Sequence, residues 1–162
     1  SIEKPDFVKV VDVESAQDMY EAVAAEFDNQ DILIMSAAVA DYRPVNPADN
    51  KIKKKEGDSS IELERTTDII GTLAPNKHPG QFLCGFSMET KDMIGNSRAK
   101  LEKKNLDMIV ANNLKVKGAG FGTDTNIVTI ITKDEVKELP IMSKDEVAGA
   151  LLDEIVKKQM NK

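Results

Sequence analysis

Hydrophobic and polar positions along this chain form short segments that predict strands and helices in alternation. Residues 7–13 alternate in the manner of a strand, and Ser15 follows as a candidate N-cap for an amphipathic helix. Ile32–Met35 is a continuous apolar run, typical of a strand buried on both faces of a parallel sheet. Further strands are predicted at 82–86, 107–111, 127–131 and 136–139.

Three more helices follow from the same kind of pattern. Residues 91–104 have helical spacing, and Ser143 with Glu146 forms a capping box before a final amphipathic helix. A short helix is predicted to start at Asp68, with Thr66 or Thr67 as its cap. The apolar face of the final helix is predicted to comprise Val147, Leu151, Leu152, Ile155 and Val156.

The alternation of strands and helices predicts an α/β fold, with a three-layer, Rossmann-like, mostly parallel sheet in one domain over residues 1–162. Residues 51–64 depart from this pattern, since a basic run, turn residues and a short alternating strand at 61–63 follow one another. We expect them to protrude as a hairpin or flap. The glycines within 118–122 predict a flexible loop, because no helix follows them as a dinucleotide fingerprint requires.

Small residues follow the first buried run, at the point where ligands lie in open α/β sheets. Ser36, Ala37, Ala38 and Ala40 precede Asp41, and their short side chains would let a ligand approach the backbone. The alternative is a tightly packed turn that needs small side chains for steric reasons alone. The stretch by itself leaves both interpretations open.

Lysines are concentrated at two places where an anion would fit. One group begins the proposed flap, and the other comprises Lys100 and Lys104, whose like charges repel across one helical turn unless an anion lies between them. The helix start at Asp68 offers free backbone N–H groups, although Asp68 itself competes for them. The alternative for each lysine group is a solvated face. The flap group comprises Lys51, Lys53, Lys54 and Lys55.

Composition excludes several classes of function. Acidic residues outnumber basic ones by 28 to 22, which is the reverse of the balance in a general nucleic-acid binder. No apolar run approaches the ~20 residues of a membrane span, so we expect neither nucleic acid nor membrane as a partner. Cys84 and His78 are the only residues of their types, which excludes Cys/His metal clusters and His-dependent triads. One unpaired cysteine and no export signal predict a cytoplasmic protein.

The motifs together resemble one family, the phosphopantothenoylcysteine synthetase (phosphopantothenate–cysteine ligase) domain of the bacterial coenzyme A biosynthesis flavoprotein. The order and spacing of the motifs match across nearly all of the chain. The motifs are A-A-V-A-D-Y-R-P from Ala37, K-I-K-K from Lys51, G-F-x-x-E-T from Gly85, the run from Lys100 to Asn112, and G-F-x-x-D-x-N from Gly120.

The resemblance implies a ligase that uses CTP and Mg²⁺. In that family the carboxylate of 4′-phosphopantothenate attacks the α-phosphate of CTP, and cysteine then displaces CMP from the acyl-cytidylate to form an amide. The resemblance assigns catalysis to Lys51, Ala37 and Ala38. It assigns nucleotide binding to Met35, Ser36, Ala37, Asp41, Lys51, Thr67, Asp68, Ile69, Ile70, Phe86, Lys100 and Lys104.

Other properties are implied by the family in the same way. The family implies that the protein forms a homodimer, that a decarboxylase domain is fused to it in the full protein, and that this domain binds no flavin. The family begins with a Gly-rich βα unit carrying an asparagine that acts on the acyl intermediate, and this sequence lacks that unit. We therefore expect an N-terminally truncated domain that binds nucleotide weakly and has negligible turnover by itself. The alternatives are a non-catalytic nucleotide-binding or dimerisation fragment, and a related ligase that uses ATP.

Overall fold

The computed structural model describes residues 4–48, 50–53, 60–89, 91–112 and 124–160. Lys54, Lys55, the turn residues 56–59 and the glycine loop 118–122 lie outside the described residues. The helices are α1 (Ala16–Phe27), α2 (Ile69–Leu73), α3 (Met93–Lys103) and α4 (Lys144–Met160). The strands are β1 (Ile32–Met35), β2 (Tyr42–Pro44), β3 (Leu63–Arg65), β4 (Phe82–Met88), β5 (Met108–Asn112), β6 (Thr125–Asn126), β7 (Val128–Thr132), β8 (Val136–Glu138) and β9 (Met142–Ser143).

The main sheet has the strand order β1-β4-β5-β7-β8. β1, β4 and β5 pair in parallel, whereas β7 and β8 are antiparallel to their neighbours. The predicted α/β fold is confirmed, with a parallel core that an antiparallel hairpin extends on one side. Consecutive parallel strands place their carboxyl ends at one edge of the sheet, which is where ligands bind in such folds.

Apolar side chains alternate between the two faces of this sheet and form a core on each side. Leu83 and Ile109 pack on the face that also contains Phe27 of α1 and Leu101 of α3. On the other face, side chains of β4, β5 and β7 pack against α4. The three predicted layers are therefore confirmed. The second core comprises Phe82, Cys84, Met108, Val110, Val128, Ile130, Leu139, Val147, Leu151 and Ile155.

Two predictions about the first part of the chain are wrong. Residues 7–13 form neither strand nor helix, and Phe7 is 90% exposed, because alternation alone does not make a strand without a partner ladder. The first apolar run does form β1, but it is not buried on both faces. It lies at one edge of the described sheet, and Ile32 is 37% exposed.

The predicted flap has a different register in the structure. β2 and β3 pair antiparallel, with Tyr42 opposite Arg65, so the paired arms begin before the lysine run rather than within it. Both arms are exposed along their length. A protruding hairpin is therefore present, and Lys51 lies in its exposed connection rather than in a strand.

Capping signals located most helix starts correctly. Ser15 and Asp18 form a capping box at α1, and Ser143 and Glu146 form the predicted box at α4. The cap of α2 is Asp68 rather than a threonine. On α4 the predicted apolar positions Leu152 and Val156 are exposed, since they lie one residue beyond the buried row and so point about 100° away from it.

Candidate functional site

A cavity of about 620 Å³ opens at the carboxyl ends of β1 and β4. The turn after β1 contributes Ala37 and Asp41 to its wall, and β4 contributes Phe86. α3 lines the cavity with Lys100, and Lys104, the C-cap of this helix, lines it as well. The structure thus brings the small-residue turn, the aromatic residue and the lysines to one place, as the sequence pattern predicts.

The turn is fixed to the segment that precedes α2. Thr66 donates its backbone N–H to the carbonyl of Asp41 at 3.0 Å, and its hydroxyl to the carbonyl of Ala40 at 2.5 Å. These bonds continue the β2–β3 ladder towards the sheet. Two separate stretches of chain therefore form one wall of the cavity, and small side chains between them keep the backbone accessible.

Asp68 has two functions in the described structure. Its carboxylate caps α2 by accepting the N–H of Gly71 at 3.1 Å, and it forms an ion pair with Lys104 at 2.7 Å. Burial opposes ionisation, but these bonds and the charge of Lys103 outweigh it, so the pKa of Asp68 is lowered. Gly71 permits this arrangement, because a Cβ there would lie 2.5 Å from the Asp68 carboxylate.

The two lysines assigned from resemblance each have a carboxylate partner. Lys100 lies 2.5 Å from Glu89, whose other oxygen accepts a hydrogen bond from Asn96, and Lys104 is paired with Asp68. Protein carboxylates therefore offset both charges, so the repulsion between the lysines does not by itself require a bound ligand. A phosphate that binds these ammonium groups must either displace the carboxylates or bind the ammonium groups together with them.

α3 is held in register against the sheet by buried polar contacts and by its C-terminal cap. The hydroxyls of Ser87 on β4 and Ser97 on α3 lie 2.7 Å apart in a buried pair. Asn105 follows the helix in the left-handed region, with φ of 50°, and the N–H of Leu106 bonds back to Leu101. The positions of the lysines thus follow from the helix ends and one buried contact.

Gly85 lines the cavity at a point where a side chain would be crowded. A Cβ at this position would lie 3.0 Å from a methyl group of Leu106, and 3.8 Å from one of Ile70. The glycine of the G-F motif is thus explained by the packing of β4 beneath the cavity.

Most residues predicted for nucleotide binding line this cavity. The exceptions are Ser36 and Lys51, and Ala38, which was predicted to act in catalysis, does not line it either. The roles of all these residues stay predictions. Sequence reasoning missed Arg65 and Lys103, which also line it. Lys103 could have been predicted from the sequence, because it lies three residues after Lys100 and so shares a helix face with it. The predicted residues that do line the cavity are Met35, Ala37, Asp41, Thr67, Asp68, Ile69, Ile70, Phe86, Lys100 and Lys104.

A protein-built metal cluster does not occur within the part of the chain that the structure describes, where no three His, Cys, Asp or Glu side chains converge. Mg²⁺ commonly needs only one or two carboxylates when substrate phosphates supply the remaining ligands. Asp41 suits that role, because it lines the cavity and has no ion-pair partner among the described residues.

The fold and the cavity define a class of protein: an α/β domain with a cavity at the carboxyl edge of its parallel strands, where such folds bind ligands, lined in part by cationic side chains. The helices in the described ranges include none long and apolar enough to cross a membrane. The chain belongs to the family of the DNA/pantothenate metabolism flavoprotein C-terminal domain, whose sequence model matches residues 1–159.

Individual relatives support this assignment. The coenzyme A biosynthesis bifunctional protein CoaBC of Bacillus subtilis (strain 168) is 50% identical over 157 residues, which are 96% of this chain and 38% of that protein. A cysteine/cysteine sulfinic acid decarboxylase from an unknown prokaryotic organism is 45% identical over 150 residues, or 92% of this chain and 42% of that protein. The chain thus spans about two fifths of the length of these relatives.

A solved structure also matches. The crystal structure of the C-terminal domain of coenzyme A biosynthesis bifunctional protein CoaBC has 45% sequence identity and a TM-score of 0.79. The match covers 100% of this chain and 73% of that one. The α/β architecture is therefore shared with an experimentally determined member of the family.

Proposed function

We propose that this domain is a phosphopantothenate–cysteine ligase that activates its acyl substrate with a nucleoside triphosphate, CTP. The observation that carries the proposal is the cavity at the carboxyl ends of β1 and β4, where an open backbone turn faces a lysine-bearing helix. Membership in the pantothenate metabolism family, and the relatives named for coenzyme A biosynthesis, support the same substrate class.

The proposed reaction has two steps. The carboxylate of 4′-phosphopantothenate attacks the α-phosphorus of CTP, and pyrophosphate leaves with the electron pair of the broken P–O bond. The amine of cysteine then attacks the acyl carbonyl, so that an amide forms, CMP leaves and the amine proton passes to solvent. No group on the protein is acylated, so its contribution is positioning and charge stabilisation.

Each of the following side chains has a proposed role in binding or catalysis. Lys100 and Lys104 bind the phosphates after exchange with their carboxylate partners, and Phe86 with residues 67–70 flanks the nucleoside. Lys51, together with Ala37 and Ala38, acts at the reacting phosphate. A bound Mg²⁺ would neutralise phosphate charge, and Asp41 would be its protein ligand.

Calorimetric titration of this chain with CTP, ATP and 4′-phosphopantothenate, each by itself, tests the proposal. CTP is expected to bind more tightly than ATP. Lys104→Gln should weaken CTP binding by about tenfold, the scale of one lost charge-assisted contact. Lys133→Gln is the matched control, since Lys133 is exposed in a turn and does not line the cavity. Failure to bind either nucleotide, or equal loss in both variants, would contradict the proposal.

The remaining family properties are part of the same proposal. We propose a cytoplasmic homodimer with a fused decarboxylase in the full protein, and the greater lengths of the relatives support the additional domain. The exposed apolar side chains of Leu63 on β3 and Ile61 just before it are a suitable dimer surface. Sedimentation velocity of wild-type and Leu63→Glu chains is the check, and a monomeric wild-type chain would contradict it.

A further inference from the structure

The cavity contains more positive charge than the assigned lysines supply. Its described lining includes Arg65, Lys100, Lys103 and Lys104 as cations. Lys100 and Lys104 are each paired with a carboxylate, at 2.5 Å and 2.7 Å. An ion pair has no net charge, so these two lysines offer little long-range attraction to an approaching anion.

Lys103 is different from its neighbours on α3. It lies on the cavity side of the helix, three residues after Lys100, and its side chain is exposed. Among the described residues it has no ion-pair partner at hydrogen-bonding distance. Its charge nevertheless reaches the site, since it contributes to lowering the pKa of Asp68.

Arg65 supplies a second such cation from the β2–β3 hairpin. Its guanidinium carbon lies 5.8 Å from the centre of the Tyr42 ring, within the range of a cation–π contact. The neighbouring Arg43 is paired with Glu64, whereas Arg65 has no carboxylate partner in the described ranges. A stacked guanidinium keeps its donors available, and their planar fork matches a phosphate group.

We propose that Lys103 and Arg65 are further phosphate-binding residues of this site, and that they make the first contact with the polyphosphate. They attract the nucleotide while Lys100 and Lys104 are still paired. The polyphosphate then competes with Glu89 and Asp68 for the other two lysines. This inference rests on the proposed function, because it assumes that a polyphosphate enters the cavity.

Calorimetric titration of the chain with CTP and with inorganic tripolyphosphate tests the inference in four variants. Lys103→Gln and Arg65→Gln remove the proposed contacts, and Lys103→Arg preserves the charge. Arg98→Gln is the matched control, since Arg98 is an exposed cation on the same helix that does not line the cavity. All four variants change exposed side chains, so the far-ultraviolet circular dichroism should not change.

We expect Lys103→Gln and Arg65→Gln each to weaken binding of both probes by about fivefold to tenfold, the scale of one phosphate contact near a protein surface. Lys103→Arg should retain most of the affinity, and Arg98→Gln should change it by less than about twofold. Tight CTP binding by wild type, with both test variants behaving like the control, would overturn this inference alone. A wild-type chain that binds neither probe would overturn the proposed function as well.

Discussion

The charge that a side chain offers to a ligand at this site depends on its ion-pair partner as much as on its own chemistry. Lys100 and Lys104 have the spacing of a phosphate clamp, yet Glu89 and Asp68 occupy both ammonium groups. Both pairs are partly exposed, and ion pairs at a protein surface contribute about 0–1 kcal/mol. A polyphosphate can therefore replace the carboxylates at small cost, which makes the pairs compatible with a binding site.

Lys51 carries the sharpest prediction at the level of one residue. In the full-length protein, Lys51→Gln should reduce formation of the acyl-nucleotide by about 10²-fold, as expected when one preorganised charge donor is lost. The variant should fold normally, because Lys51 is exposed. Pyrophosphate release is the measurement, with Lys133→Gln as control. Near-normal release by the Lys51 variant would remove it from the mechanism.

Gly85 leaves little room for a side chain, because Leu106 would have to move to admit one. Gly85→Ala should lower the free energy of unfolding by about 1–3 kcal/mol, the usual range for overpacking, because the new methyl group would lie 3.0 Å from Leu106. Gly149→Ala is the control. Its Cβ meets nothing within 4 Å and it lies in α4, so it should be stabilising by up to ~1 kcal/mol.

Urea unfolding of both glycine variants measures this difference. Combining Gly85→Ala with Leu106→Ala should cost less than the sum of the two separate changes, because the smaller residue removes the close contact. Strict additivity, or a stable Gly85→Ala protein, would show that the cavity around Gly85 is not as closely packed as the structure indicates.

Secondary-structure elements were predictable wherever a local signal fixes them. Ser15 and Ser143 each form side-chain bonds that satisfy a helix N-terminus, and both helix starts were correct. The α2 cap was misassigned because threonine and aspartate are both favoured N-caps and stand side by side in this sequence, although aspartate is the stronger of the two. Whether residues 7–13 form a strand, and which residues pair in the hairpin, depends on contacts between segments. The local sequence does not contain that information.

The cap of α1 provides a prediction at the level of an element. Ser15→Ala should lower the free energy of unfolding by about 1 kcal/mol, because the N–H of Asp18 loses its side-chain acceptor. Ser60→Ala, at an exposed position outside any helix or strand, is the control and should have little effect. Equal stability of the two variants in urea would show that this cap does not stabilise the helix.

At the scale of the whole molecule, the sheet and its two cores were predictable from apolar runs, and the position of the cavity followed from the carboxyl ends of parallel strands. What the sequence did not reveal was the pairing of Lys100 with Glu89 and of Lys104 with Asp68. It also did not reveal the contribution of Arg65. Each of these depends on contacts between separate segments of the chain, which form only in the folded protein.

Cys84 reports on the integrity of the whole fold. Burial, and secondarily the charge of Asp107, raise the pKa of its thiol from 9.0 to about 12. Folding thus favours the neutral thiol. The contribution of Cys84 to the free energy of unfolding is therefore fully present below pH 9 and is lost as the pH rises towards 12. Iodoacetamide should label the native chain far more slowly than the urea-unfolded chain. Equal labelling rates would contradict the buried position.

The central claim is that the cavity between the turn after β1, α2 and α3 binds a nucleoside triphosphate. Mapping of amide chemical shifts in the isotope-labelled chain during titration with CTP tests it most directly. We expect shifts at residues 37–41, 66–70 and 100–104 and at Phe86, with Val11 and Val23 in the groove beside α1 unchanged. Shifts confined to that groove, or no shifts at saturating CTP, would contradict it.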